Sequence, residues 1–104
     1  MPSFSLGAID VPAAGTPVQV STNIELRASS ITFQAKPTNA GAYAYVGLST
    51  LVASTFVGCL AVLGQGDSLT INSGARNPIG LRLSDYYVDV TTSGDDVIVS
   101  YTTS

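Results

Sequence analysis

Residues 30–47, SITFQAKPTNAGAYAYVG, alternate apolar and polar side chains, break at a turn, and then alternate again. Successive side chains of a strand fall on opposite faces, so Ile31, Phe33 and Ala35 face a core while Thr32, Gln34 and Lys36 face water. In the turn, Pro37 presets its own φ, and Asn39 and Gly41 tolerate positive φ. Tyr43, Tyr45 and Gly47 then share one face and Ala44, Val46 and Leu48 the other. The chain closes on the same logic. Tyr86, Val88 and Val90 alternate with Tyr87, Asp89 and Thr91; Ser93-Gly94-Asp95 turns; Val97, Val99 and Tyr101 return on one face. Between them, Leu60 to Ile71 reads as a hairpin-like unit turned by Gly64-Gln65-Gly66-Asp67. The pattern predicts strands near residues 18–26, 30–36, 42–48, 56–63, 67–72, 80–83, 85–92 and 96–102. Their core is Ile31, Phe33, Val46, Leu69, Ile71, Val88, Val90, Val97 and Val99. Short strands with turn signals at this spacing define an all-β chain, a β-sandwich or jelly-roll-like single domain.

At 104 residues the chain has the length of one domain, and a domain of this size buries roughly 65% of its unfolded surface. Four Lys or Arg stand against seven Asp or Glu, a net charge of −3, which argues against direct nucleic-acid binding through phosphate neutralisation. Charged residues make up only 11% of the chain, against roughly 25% in an ordinary soluble domain. Part of the surface is therefore expected to be covered by other subunits, with a homotrimer as the expected form.

Residues 1–16 hold Pro2, Pro12, Gly7 and Gly15, poor material for a helix or a central strand, although Phe4, Leu6 and Ala8 alternate as an edge strand would. They read as an extended N-terminal arm that crosses to a neighbour, with residues 17–104 forming the β-sandwich domain. Met1 to Asp10 has neither the positive charge nor the apolar run of a secretory signal. Val46 to Leu63 is free of charge, but its Ser and Thr residues and its glycines favour a buried loop and strand over a membrane span. The lone Cys59, between Val57 and Leu60, reads as a small core residue that needs no oxidising compartment.

No His is present, so the usual proton shuttle at neutral pH is missing, and the many hydroxyls have no base to activate one. No catalytic, cofactor or metal residue is assigned. Asp85, Asp89, Asp95 and Asp96 match no calcium loop, and Asp95 and Asp96 follow Gly94 in a turn, where Asp serves local backbone hydrogen bonds. Gly64-Gln65-Gly66-Asp67 lacks the Gly-Lys-Ser/Thr ending of a phosphate loop. The candidate interaction surface is Phe4, Leu6, Tyr43, Tyr45, Tyr86 and Tyr87. Exposed tyrosines could stack on a sugar ring with Asp89 or Asn39 as polar partners, but Tyr is also a good strand residue, and one of Tyr86 and Tyr87 must face the core.

The ordered motifs GTPVQVS (15–21), SSITFQAKPTNAGAYAYVG (29–47), LGQGDSLTI (63–71) and LSDYYVDVTTSGDDVIVSY (83–101) together resemble a group of small virion proteins of tailed bacteriophages. The longer Leu51 to Val62 segment departs from that pattern, as does Gln65, where a proline is common. The resemblance implies a β-sandwich-like head or tail component with no catalytic residues. Combined with the low charge, it points to a capsid decoration or cement protein that is made in the host cytoplasm, sits on the capsid surface of the virion and binds the major capsid protein. The competing expectation is a carbohydrate-binding module for receptor recognition, or another small tail or head-tail component.

Overall fold

The alternating segments form strands, except that the strand expected over residues 18–26 is reduced to Val18–Gln19, and the computed structural model describes residues 3–23, 25–72 and 80–103. In chain order these are β1 (Ser3–Asp10), β2 (Val18–Gln19), β3 (Arg27–Ala28), β4 (Ser30–Ala35), β5 (Tyr43–Val52), β6 (Val57–Gly64), β7 (Ser68–Asn72), β8 (Leu81–Arg82), β9 (Tyr86–Val90) and β10 (Asp96–Thr102). A single 3-10 turn, Leu83–Asp85, precedes β9. One sheet has the order β1-β10-β4-β7, the second β2-β9-β5-β6, and β3 pairs with β8. Every pairing is antiparallel. Two four-stranded sheets with this interleaved order are a jelly roll, the double Greek key that all-β chains use to pack two sheets on one core.

Ile31, Phe33, Val97 and Val99 from the first sheet meet Ala44, Val46, Val88 and Val90 from the second in one buried cluster. The alternation in residues 30–35 and 96–100 is thus realised face for face. Leu69 and Ile71, expected in the core, are only half-buried, because β7 is the outer strand of its sheet and is covered on one flank alone. Among consecutive described strands, only β5 and β6 are neighbours in a sheet. The turns at Gly64–Asp67 and Ser93–Asp95, expected to close hairpins, instead carry the chain from one sheet to the other.

The N-terminal arm is corrected. Residues 3–10 form β1 and pair along β10 from Ser3↔Thr102 to Asp10↔Asp96, with a bulge at Leu6 between Ser5 and Gly7. Without β1, β10 would present an open edge, and pairing satisfies its backbone donors and acceptors. Leu6 and Ile9 pack against the core, and Val11 is fully buried within it. The proposed boundary at residue 16 therefore falls inside the domain. Val46 to Leu63 is the β5–β6 hairpin, and among the described residues no helix is long and apolar enough to cross a membrane. Cys59 is half-buried on β6 rather than in the core.

One end of the sandwich is tied by polar side chains. The buried Asp95 carboxylate accepts hydrogen bonds from the N–H groups of Ala40 (2.9 Å) and Gly41 (2.7 Å). Asn39 donates through Nδ2 to the Asp96 carbonyl and accepts through Oδ1 from the Asp96 N–H, both at 2.9 Å. Neither Asn39 nor Gly41 has positive φ, so the expected reason for their place in the turn is replaced. Asn39 works through its amide. Gly41 lacks a side chain because a Cβ there would run into the Thr91 and Thr92 hydroxyls and the Asp95 carboxylate.

Candidate interaction surface

The β5–β6 hairpin ends in a tight coil built on two glycines. Gly58 has φ of 69°, and a Cβ on it would strike Thr50, 2.8 Å from its carbonyl carbon. A Cβ on Gly47 would collide with the Gly58 carbonyl oxygen. Backbone therefore lies directly on backbone, and Leu51 is buried over Gly47. Between the two strands Phe56 has φ of 60°, the one positive value at a non-glycine among the described residues. A bulky residue in that conformation costs roughly 1–2 kcal/mol, and such strain gathers at sites with a task. Its ring is 59% exposed and leans on Tyr45 at a centroid distance of 6.3 Å.

Around Phe56 the hairpin displays Tyr43, Leu48, Val52, Val57, Leu60 and Val62, and the seven residues are each 40% to 59% exposed. So many exposed apolar side chains on one hairpin mark it as a candidate interaction surface. No charged residue lies between Lys36 and Asp67. The patch is thus neutral as well as apolar, and it is suited to dry contact with another protein surface rather than to ion or phosphate binding.

The structure separates the six residues expected to form one surface. Tyr43 (exposed) and Tyr45 (half-buried) lie on the outer face of β5, where Tyr45 pairs with Val62 on one side and Asp89 on the other. Tyr87, opposite Gly47, is diagonal to Tyr45 on that face. Tyr86 is corrected: it turns into the core, 9% exposed, with its ring 5.8 Å from Phe33. Burial, helped by the nearby Asp85 carboxylate, pushes its hydroxyl pKa above the usual tyrosine range. Phe4 and Leu6 belong to β1, an outer strand of the other sheet. There Phe4 stacks on Tyr101 at 5.2 Å, and Leu6 is half-buried against the core. Sequence reading expected the apolar Leu48 to Leu63 region to be covered in an oligomer but did not single out Phe56, Leu60 and Val62 within it, because an apolar strand flanked by apolar residues gives no sign of which face lacks cover.

No family model, curated protein or solved structure matches the chain. What remains is its geometry. An open cleft of about 320 Å³ beside the hairpin base is lined by Leu48, Ser49, Ser84, Asp85 and Tyr87, and Gln19 braces its floor by donating to the Ser84 carbonyl at 2.9 Å. The carboxylates do not converge. Asp89 accepts from the N–H groups of Gly15 and Val90, Asp96 pairs with Lys36 at 3.3 Å, and no group of three metal-ligating side chains occurs among the described residues.

Proposed function

We propose that the protein is a non-enzymatic structural subunit of a tailed-phage virion, a capsid decoration or cement protein that binds the major capsid protein at the particle surface. The observation that carries this reading is the apolar hairpin, free of charged residues between Lys36 and Asp67, on a domain with few charged residues. Two things support it further. The order of sequence motifs resembles small virion proteins, and the jelly roll is an architecture that capsid subunits share with lectins. Fold alone selects neither role. Neutral contact area is what a subunit clamped onto a protein shell requires. Mass spectrometry and cryo-electron microscopy of purified particles test the proposal. The chain should be present in stoichiometric amount with density on the head; absence from virions, or density confined to the tail, rejects the decoration role.

A second reading, carbohydrate recognition, is favoured by the cleft at Tyr87, where an aromatic ring, two serine hydroxyls and the Asp85 carboxylate line one opening. Sugar sites combine such a ring with a few placed polar groups. A glycan array on the wild-type chain and on Tyr87→Ala separates the two. Binding lost in the variant supports recognition, and no binding by either chain leaves the structural role alone.

A further inference from the structure

Of the four outer strands, β6 is the least defended. Such edges carry unpaired backbone donors and acceptors, and proteins commonly blunt them with short length, charge, proline or bulges. β2 has two residues, β1 is bulged at Leu6, and β7 is short and mainly polar, SLTIN. β6 runs for eight residues, VGCLAVLG, without charge or proline. Among the described residues it pairs only with β5. Its register against β5 breaks twice, between Val46/Ala61 and Gly47/Cys59 and again before Val52/Val57, so the undefended part is Ala61 to Gly64, which pair regularly with Tyr43 to Val46. Leu60 and Val62 are exposed along this strand, and Ala61 and Leu63 turn to the core.

We propose that two copies of this chain pair antiparallel through β6, joining their β2-β9-β5-β6 sheets into one eight-stranded sheet across a two-fold axis near Val62. An axis there sets Val62 against itself and each Leu60 opposite Gly64, beside the Asp67 carboxylate that accepts the Gly64 N–H at 3.1 Å. A second copy is the occupant the surface selects. A strand edge and an apolar row are self-complementary under a two-fold. Pairing along the β6 edge satisfies its open backbone row and covers the exposed Leu60 and Val62. A sheet edge is satisfied by one addition, so this contact closes as a dimer where composition alone led us to expect a trimer. The dimer would occupy the same hairpin on which the shell contact is proposed, so a monomeric chain overturns the dimer and leaves that face to the shell, whereas a dimer leaves the particle experiments above to decide the virion role on their own.

Analytical ultracentrifugation of the full chain should show a dimer, and Val62→Lys should convert it to a monomer with an unchanged circular dichroism spectrum. Directly opposed residues of an antiparallel pair have Cα atoms about 4.5–5.5 Å apart, within disulfide reach. Val62→Cys in a Cys59→Ala background should therefore cross-link into a covalent dimer on mild oxidation, while Ser68→Cys in the same background should not. This readout does not depend on how well the lysine variant folds. A monomeric wild-type chain, a trimer that survives Val62→Lys, or equal cross-linking at positions 62 and 68 would overturn the proposal.

Discussion

Asp95 shows how a turn residue in this chain holds two sheets together. Its carboxylate satisfies two N–H groups of the Lys36–Gly41 turn, and removing the acceptor leaves the buried Gly41 N–H without its partner. Asp95→Ala should cost about 2–3 kcal/mol in urea denaturation, while Lys36→Ala, which breaks a partly exposed ion pair, should cost under about 1 kcal/mol. Tyr86 supplies a pH dependence. Its folded pKa lies above the unfolded value, so its contribution to stability is fully present below the unfolded tyrosine pKa and is lost as pH climbs through the folded one. Wild type should therefore lose stability above about pH 10 more steeply than Tyr86→Phe, as measured by denaturation midpoints across the alkaline range. In a spectrophotometric titration Tyr86 should ionise above the usual tyrosine range.

At the scale of elements, alternation revealed which residues face inward but not which sheet receives each strand. A turn such as Gly64-Gln65-Gly66-Asp67 has the same chemistry whether its strands pair or part, so the jelly-roll order could not be read from it. Tyr86 and Tyr87 illustrate the same limit: adjacent residues must diverge, but only the packing of Phe33 decides which one enters the core. Residues 3–10 were legible as an edge strand in Phe4, Leu6 and Ala8, but Gly7 and the flanking Pro2 and Pro12 argued more loudly for an arm. Deleting residues 1–10 should consequently destabilise the domain, with a lower urea midpoint and loss of amide protection along β10, rather than leave it intact. Nothing marked Phe56 as a left-handed residue, since bulky side chains are the last to adopt that conformation. The coil that holds it depends on Gly58, so Gly58→Ala should cost at least about 2 kcal/mol and raise hydrogen exchange in residues 48–58 first.

For the whole molecule, nearly every pairing joins strands distant in sequence, β1 with β10 above all. Such topologies close long loops before contacts reward them, so refolding should fall in the millisecond-to-second range in stopped-flow fluorescence of the tyrosines. The exception is β5 with β6, joined by the four residues Ala53 to Phe56. A hairpin of that kind forms in about 1–10 μs, long before the two sheets meet. The earliest piece of structure to appear is thus also the one that finishes with an open edge and bare side chains. Newly made chains would carry a completed adhesive strand while the rest of the domain is still unassembled, which sets folding in competition with encounter. Crowded synthesis should then favour tangled, strand-exchanged species, and dilution should restore the ordered product, a kinetic tension written into the order of the strands themselves.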